Sequence, residues 1–178
     1  MWRVILDKGM EGATVRNIAE EAGLSLGALR HYFKTQDDLL VYAMTLVQER
    51  ATARIEKVAS QALPPKEMVL AVLDEVVPLN AETRAEMEVW FAFIAYVNHR
   101  KDELQVPDDG VREGVRKVMA YLEVSGLLTE GIDKELEVER LYALIDGIAI
   151  HALLQPDRLD AEKVRNTIRY HVDSICKV

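Results

Sequence analysis

The side chains best suited to chemistry lie close together near the start of the chain. Arg16, Arg30, His31 and Lys34 bring nitrogen donors, Thr14, Ser25 and Tyr32 bring hydroxyls, and Leu26 and Ala28 stand among them. The mixture makes no catalytic constellation, but it matches what a DNA groove offers: a guanidinium reaches a guanine edge, small apolar groups meet thymine methyls, and hydroxyl and ammonium groups dock on phosphate. The residues in between say how the set would be held. Thr14 is a side-chain N-cap for a helix with Ile18, Ala19 and Ala22 on one face, Gly23 supplies the positive φ that ends it, and Ser25 caps the next helix. That second helix turns Leu29 and Phe33 inward at i, i+4 and leaves Leu26, Ala28, Arg30, His31 and Tyr32 outward. Ala22 and Gly23 are small enough for two helices to cross closely. The pattern is a helix-turn-helix, with a plain αα-hairpin as the alternative.

The whole chain carries a net charge of -8, an unexpected sign for a partner of DNA, whose affinity rests on neutralised phosphates. The acid is unevenly placed: residues 1–40 hold five Lys/Arg against six Asp/Glu, which leaves -1 there and -7 for the remainder. Glu20 and Glu21 fall on the supporting helix, away from Arg30, His31 and Lys34. At 178 residues the chain can bury a sizeable core as one or two compact domains. No apolar run reaches the roughly 18 residues of a membrane span, and no leader pattern with a cleavage site is visible, so a cytoplasmic protein with no membrane partner is expected. Cys176 is the only cysteine, which makes an internal disulfide impossible.

The pieces Gly9-Met-Glu-Gly12, Thr14-Val-Arg16, Ile18-Ala19, Ala22-Gly-Leu-Ser25, Gly27-Ala-Leu29, His31-Tyr-Phe33 and Asp38-Leu-Leu40 run in one register without gaps. Through them residues 1 to about 45 resemble the DNA-binding region of the TetR family of transcriptional regulators. The resemblance implies contact with palindromic double-stranded DNA through Thr14, Arg16, Ser25, Leu26, Ala28, Arg30, His31, Tyr32 and Lys34, with Arg30 reading bases. Two residues depart from the family pattern. Arg30 stands where the family has a tyrosine on the DNA backbone, and Gln36 stands where it has a lysine docked on phosphate, a contact that would weaken or pass to Lys34. Members of the family usually carry a polar or basic arm ahead of this region, whereas here Trp2-Arg3 already lies inside the first helix, and the resemblance leaves open whether such an arm belongs to the native protein.

Beyond Phe33 apolar residues recur at helical spacing and no alternating Val/Ile/Thr-rich segment suggests a strand, so the fold expected is all-α. An N-terminal three-helix helix-turn-helix DNA-binding domain over residues 1–45 would be followed by a helical ligand-binding and dimerisation domain over 46–178. A long helix is expected from Gln36 to Ala62, with Leu40, Ala43, Met44, Val47, Ala51, Ile55 and Val58 as one buried stripe. Pro64-Pro65 opens the next helix and Pro78 stops it. A helix from Ala81 to His99 carries apolar residues all round and is expected to be buried on most sides. Arg100–Gly114 is polar, holds Pro107-Asp-Asp-Gly110 and reads as a connection or a broken helix start. Helices over Val111–Leu122, Lys134–Leu154 and Asp160–Ile175 complete the chain, the last capped by Asp160.

In the resembled family the last two helices pair with those of a second copy as a four-helix bundle. Here Ala143, Gly147 and Ala149 would allow close approach, and Leu144, Gly147, Ile148, His151, Ile168 and Val172 would form the homodimer interface; the alternative is that these helices complete one chain's core. The run from Ala143 to Leu154, followed by Pro156-Asp-Arg158-Leu159, is similar to the choline-repressor-like branch of the family. The family further implies a small-molecule effector, of unknown identity, enclosed by the helices between about 65 and 155. Trp90, Phe93, Tyr96, Met119 and Tyr142 are its candidate walls, although aromatic residues at helical spacing are more often plain core. A cationic effector would rest on aromatic faces and on carboxylates such as Glu86. His99, His151 and His171 stand apart with no His-x-x-x-His or Cys-x-x-Cys pair, so no metal and no cofactor are expected. The absence of a Gly-x-Ser-x-Gly, P-loop or dinucleotide-binding pattern argues against an enzyme. The function expected is a dimeric, sequence-specific DNA-binding regulator, a repressor by family default, under small-molecule control; the rival is a helical dimeric interaction protein without DNA binding.

Overall fold

A computed structural model describes residues 1–98 and 110–177. Among the described residues there are nine helices: α1 (Trp2–Gly12), α2 (Val15–Glu21), α3 (Leu26–Tyr32), α4 (Gln36–Ala59), α5 (Pro65–Asp74), α6 (Ala81–Asn98), α7 (Gly110–Val124), α8 (Lys134–Leu154) and α9 (Ala161–Ile175). The all-α class is as expected. One isolated antiparallel bridge, between Leu128 and Cys176, is the only extended pairing among the described residues.

The chain falls into two compact units. The first comprises Met1–Arg50 and the described residues from 85 to 98, the second Ala51–Arg84 and those from 110 to 177. The boundary expected after residue 45 therefore lies after Arg50, and the second half of α6 joins the N-terminal unit. Packing explains why. Val89, Phe93 and Val97 recur along one side of α6 and enter the cluster formed by Val4, Ile18, Leu29, Leu40 and Met44. That stripe is buried, at 0%, 1% and 4% exposure, as are Thr83 and Glu86 in the first half of α6 at 3% and 5%, whereas Ile94 is 39% exposed. The expectation that α6 is covered on most sides is thus wrong for the single chain: an apolar perimeter states what a helix could bury, and the neighbouring helices cover one face.

α4 ends at Ala59 rather than Ala62, and its stripe is graded, with Leu40, Ala43, Met44 and Val47 buried and Ala51, Ile55 and Val58 half-buried. α1 is interrupted at Gly9, whose φ of 70° and ψ of 178° interrupt the helical backbone. Only glycine visits that region freely. Gly12 closes the same helix under a second constraint, because a Cβ there would stand 2.5 Å from Lys8 Cβ. Of the polar connection expected over 100–114, residues 100–109 lie outside the described residues, and from Gly110 the chain is helical.

In the second unit α8 packs on α7 and on α9, and α5 packs on α7 and on α9. Val115, Met119 and Leu122 of α7 meet Leu141, Ile145 and Ile148 of α8 and Ile168 and Val172 of α9 in one cluster. α8 spans the residues expected, because Asp133 accepts a hydrogen bond from Leu136 N and fixes its start. Asp160 does the same for α9, accepting from Lys163 N at 2.9 Å. The end of α9 is tied back: Thr129 N donates to Ile175 O at 2.9 Å and Lys177 N to Leu127 O at 2.7 Å.

Candidate nucleic-acid interface

The reading head is built by caps. α2 and α3 have seven residues each, too short to be stable alone, so their ends must be satisfied by side chains and turns. Thr14 Oγ1 accepts from Asn17 N at 3.2 Å and Ser25 Oγ accepts from Ala28 N at 3.1 Å. Between the helices Gly23 takes φ 66°, its N–H reaching Glu20 O at 3.1 Å while Leu24 N–H reaches Ala19 O at 2.9 Å. This is the left-handed C-terminal cap that glycine allows. The other reason given for small residues here does not hold: Ala22 and Gly23 are both exposed, and a Cβ on Gly23 would meet nothing within 4 Å. Gly23 is required by its φ, not by a close helix crossing.

Leu29 is buried at 8% exposure and Phe33 is half-buried against Tyr42, with ring centroids 5.1 Å apart. The opposite face of α3 is open. Ala28, Arg30 and His31 are exposed, and Tyr32 is 76% exposed with its ring edge-on to His31. Leu26, expected to project outward, is half-buried, because it lies in the first turn beside the α2–α3 junction. Arg16 and Lys34 flank this face and are exposed, and neither these two nor Arg30 has an ion-pair partner among the described residues. Thr14 and Ser25 spend their acceptor lone pairs on the caps and keep a hydroxyl proton for donation. On the other side of the unit Arg3 pairs with Glu21 at 3.1 Å. Gln36, which stands where a phosphate-docking lysine was the pattern, turns its amide to the end of α1, donating from Nε2 to Glu11 O at 3.3 Å in an exposed hydrogen bond.

The five residues expected to wall an effector pocket divide between the units. Trp90, Phe93 and Tyr96 belong to the first, where Phe93 is core, Trp90 lies against it with centroids 6.5 Å apart, and Tyr96 donates its hydroxyl to Asp37 Oδ1 at 3.1 Å. Met119 is core of the second unit and Tyr142 packs against that core. Aromatic and sulfur side chains mark burial as readily as ligand contact, and sequence spacing does not separate the two. Two clefts lie elsewhere, one lined by Arg3, Asp7, Lys8, Asn17, Glu20 and Glu21, another around Gly126, Thr129 and Lys134.

Three of the six residues expected at a dimer interface are turned into their own chain's core: Ile148, Ile168 and Val172 are 5%, 1% and 0% exposed. The apolar stripes of α8 and α9 face each other and α7 first, and only what is left over can meet another copy. Leu144 and Gly147 are half-buried, and His151 is exposed. A Cβ on Gly147 would meet nothing within 4 Å. Ile150 and Leu154, which the sequence reasoning passed over, continue that outer side of α8 at 39% and 72% exposure. Also unanticipated is a polar cluster between α8 and α9, in which His171 is buried and Arg140 is exposed. Arg140 Nη2 lies 3.2 Å from His171 Nδ1, Arg140 Nη1 pairs with Glu137 Oε1 at 2.9 Å, and His171 Nε2 stands 3.9 Å from Glu137 Oε2, with no hydrogen-bond partner for either atom among the described residues. Burial, then the Arg140 guanidinium, hold the His171 imidazole below its ordinary pKa, with Glu137 acting in the opposite sense. Among the described residues no three His, Cys, Asp or Glu side chains converge as metal ligands, and His99 lies outside them.

Known proteins align with both regions. Residues 2–43 match the family model of bacterial regulatory proteins of the tetR family, and residues 65–177 match that of the C-terminal domain of BetI-type transcriptional repressors. The chain is 58% identical over 175 residues to the HTH-type transcriptional regulator PksA of Bacillus subtilis, covering 98% of this chain and 85% of that protein. It is 30% identical over 176 residues to the regulator BetI of Vibrio campbellii, covering 95% and 85%. Among solved structures, a transcriptional regulator from Rhodococcus sp. Rha1 superimposes with a TM-score of 0.77 at 24% identity, over 99% of this chain and 94% of the other. A regulator from Saccharomonospora viridis in complex with choline does so with a TM-score of 0.74 at 20% identity, over the same shares. These two share the fold.

Proposed function

We propose, from the premise that this chain belongs to the tetR family of bacterial regulatory proteins and carries a BetI-type repressor C-terminal domain, that it works as a dimeric repressor released or engaged by a small organic effector. That the chain is a helix-turn-helix DNA-binding regulator and not an enzyme follows from its family. The finer reading rests above all on one observation: Arg16, Arg30 and Lys34 stand exposed around a capped α3 with no carboxylate of the described chain neutralising them, so their charge is available to phosphates and base edges.

Two copies would set their α3 helices about 34–36 Å apart, facing successive major grooves of a palindrome. Arg30 is the base reader, Leu26 and Ala28 meet thymine methyls, and Thr14, Arg16, Ser25, His31, Tyr32 and Lys34 make backbone or mixed contacts. The outer side of α8, with Leu144, Gly147, Ile150, His151 and Leu154, is the surface offered to the second copy. A mid-helix glycine costs about 1 kcal/mol relative to alanine, and at Gly147 the chain itself has room for a methyl group, so close approach by another helix is what favours glycine there. The effector enters the C-terminal domain; Tyr142 is the aromatic candidate left near that domain's surface. Repression is favoured by the BetI-type match, and the site of action is the cytoplasm, where the DNA is.

Selection of random duplex DNA on the purified chain at two salt concentrations, followed by sequencing of the retained fraction, tests this reading. A retained palindrome, with affinity falling steeply as salt rises, is the expected result. A folded dimer that retains no sequence overturns it in favour of an interaction protein. Choline and related small cations added to the retained duplex complex then test effector control.

A further inference from the structure

The turn that ends α1 is held by two neutral amides from different helices. The last carbonyls of an α-helix have no partner within it, and here Glu11 O accepts from Gln36 Nε2 of α4 at 3.3 Å while Gly12 O accepts from Asn17 Nδ2 of α2 at 2.8 Å. The turn itself has little freedom. Gly9 breaks the helix at φ 70°, Gly12 tolerates no side chain beside Lys8 Cβ, Ala13 is fully buried, and Thr14 N also donates to Gly12 O at 2.8 Å. The start of α4 is equally defined, since Thr35 and Asp38 cap each other reciprocally, Asp38 N to Thr35 Oγ1 and Thr35 N to Asp38 Oδ2, both at 3.0 Å.

α3 hangs between α2 and α4 in the chain. We propose that Asn17 and Gln36 are positioning residues for base reading: by tying α2 and α4 to successive carbonyls of one turn, they set the pitch at which α3 presents Arg30 and Ala28 to the groove. Gln36 is thus not a weakened phosphate contact but an internal one. Both amides are uncharged, so they act on the discrimination between sequences and not on the counterion-driven part of the affinity. The inference deepens the sequence-specific reading proposed above and rests on it.

The test uses the full chain and two variants that keep side-chain size and delete the donor, Asn17→Leu and Gln36→Met. Affinities for the selected palindrome and for a duplex of scrambled sequence are measured by fluorescence anisotropy across a salt series, at a temperature where melting curves show every variant folded. Each variant is expected to lower the preference for the palindrome roughly 3- to 10-fold, the size of one net hydrogen bond, and the double variant by less than the product, since both act on one turn. The slope of log affinity against log salt stays unchanged. An equal loss of affinity for the palindrome and for the scrambled duplex in Gln36→Met, which leaves the preference unchanged, would make Gln36 an uncharged backbone ligand and overturn the proposal, as would an unchanged preference without any loss. A second measurement needs no DNA: in the 15N-labelled wild-type protein the Asn17 and Gln36 side-chain amide protons exchange with solvent more slowly than free amides. Free-amide rates overturn the clamp even where a palindrome is retained. Protected amides without any retained palindrome overturn the base-reading role through the failure of the sequence-specific reading itself.

Discussion

The two units treat their positive charges in opposite ways. In the second unit most cations are paired within the chain, Lys57 and Lys117 being exceptions among the described residues: Arg112 pairs with Glu139, Arg116 with Glu135 at 3.2 Å, Lys134 with Glu123 at 2.8 Å, Arg165 with Asp74 at 2.8 Å and Arg169 with Glu67 at 3.2 Å. Around α3 of the first unit, Arg16, Arg30 and Lys34 are left unneutralised by the described chain. A net charge of -8 therefore says little about affinity for an anion. What counts is where the acid sits relative to each cation, because an exposed pair within a Debye length of about 8–10 Å is already screened as a unit.

Removing a core side chain from the second unit should show the largest effect. Leu141 is fully buried, and Leu141→Ala should cost about 2–5 kcal/mol in thermal or urea denaturation; a loss under about 1 kcal/mol would mean that the unit's core can collapse around the gap. Next in size, Arg30→Ala should leave stability unaltered and cost roughly 1–3 kcal/mol in operator binding, with relaxed preference at one base pair. Equal losses on every sequence would instead place Arg30 on phosphate. The third effect depends on pH. The His171 pKa is lowered in the folded chain, so the unfolded chain takes up the proton first, near pH 6.5. Stability is fully present above that pH and declines as the pH falls from there toward the folded-state value, by at most about 1.4 kcal/mol per pH unit for one proton. His171→Gln should flatten that part of the stability curve, and a slope that survives the substitution assigns it to other groups. Smallest is a pair of single charges. Lys34→Ala should reduce the salt slope of DNA binding by about one, whereas Arg116→Ala should leave it unchanged and alter stability by less than about 1 kcal/mol. Equal slopes for both would dissolve the contrast between the units.

The features legible in the sequence were those set by neighbours along the chain. The caps at Thr14, Ser25 and Asp160 stand where their spacing to the next helix put them, and α8 runs from Lys134 to Leu154 as its apolar period requires. Illegible were choices between partners far apart in sequence. The period of Ile148, Ile168 and Val172 says that one face is apolar, but whether the same chain or another copy covers it is decided by how α7, α8 and α9 share area. Phe93 and Met119 read as pocket walls because large apolar groups serve cores and ligands alike. The Gln36 amide read as a weakened phosphate contact for the same reason: its acceptor, Glu11 O, is an α1 carbonyl with no side-chain signature.

The bridge between Leu128 and Cys176 puts the molecule's one thiol under a latch. Cys176 is 6% exposed and burial raises its thiol pKa, so an aromatic disulfide reagent is expected to react fastest in the moments when the end of α9 lifts away from residues 127–129. The thiol is a native clock for that opening. Its labelling rate, read by absorbance at low reagent concentration, would report the free energy of the local event without any probe being installed, and a change of that rate on adding an effector would register binding in a unit that has no other optical signal of its own as selective.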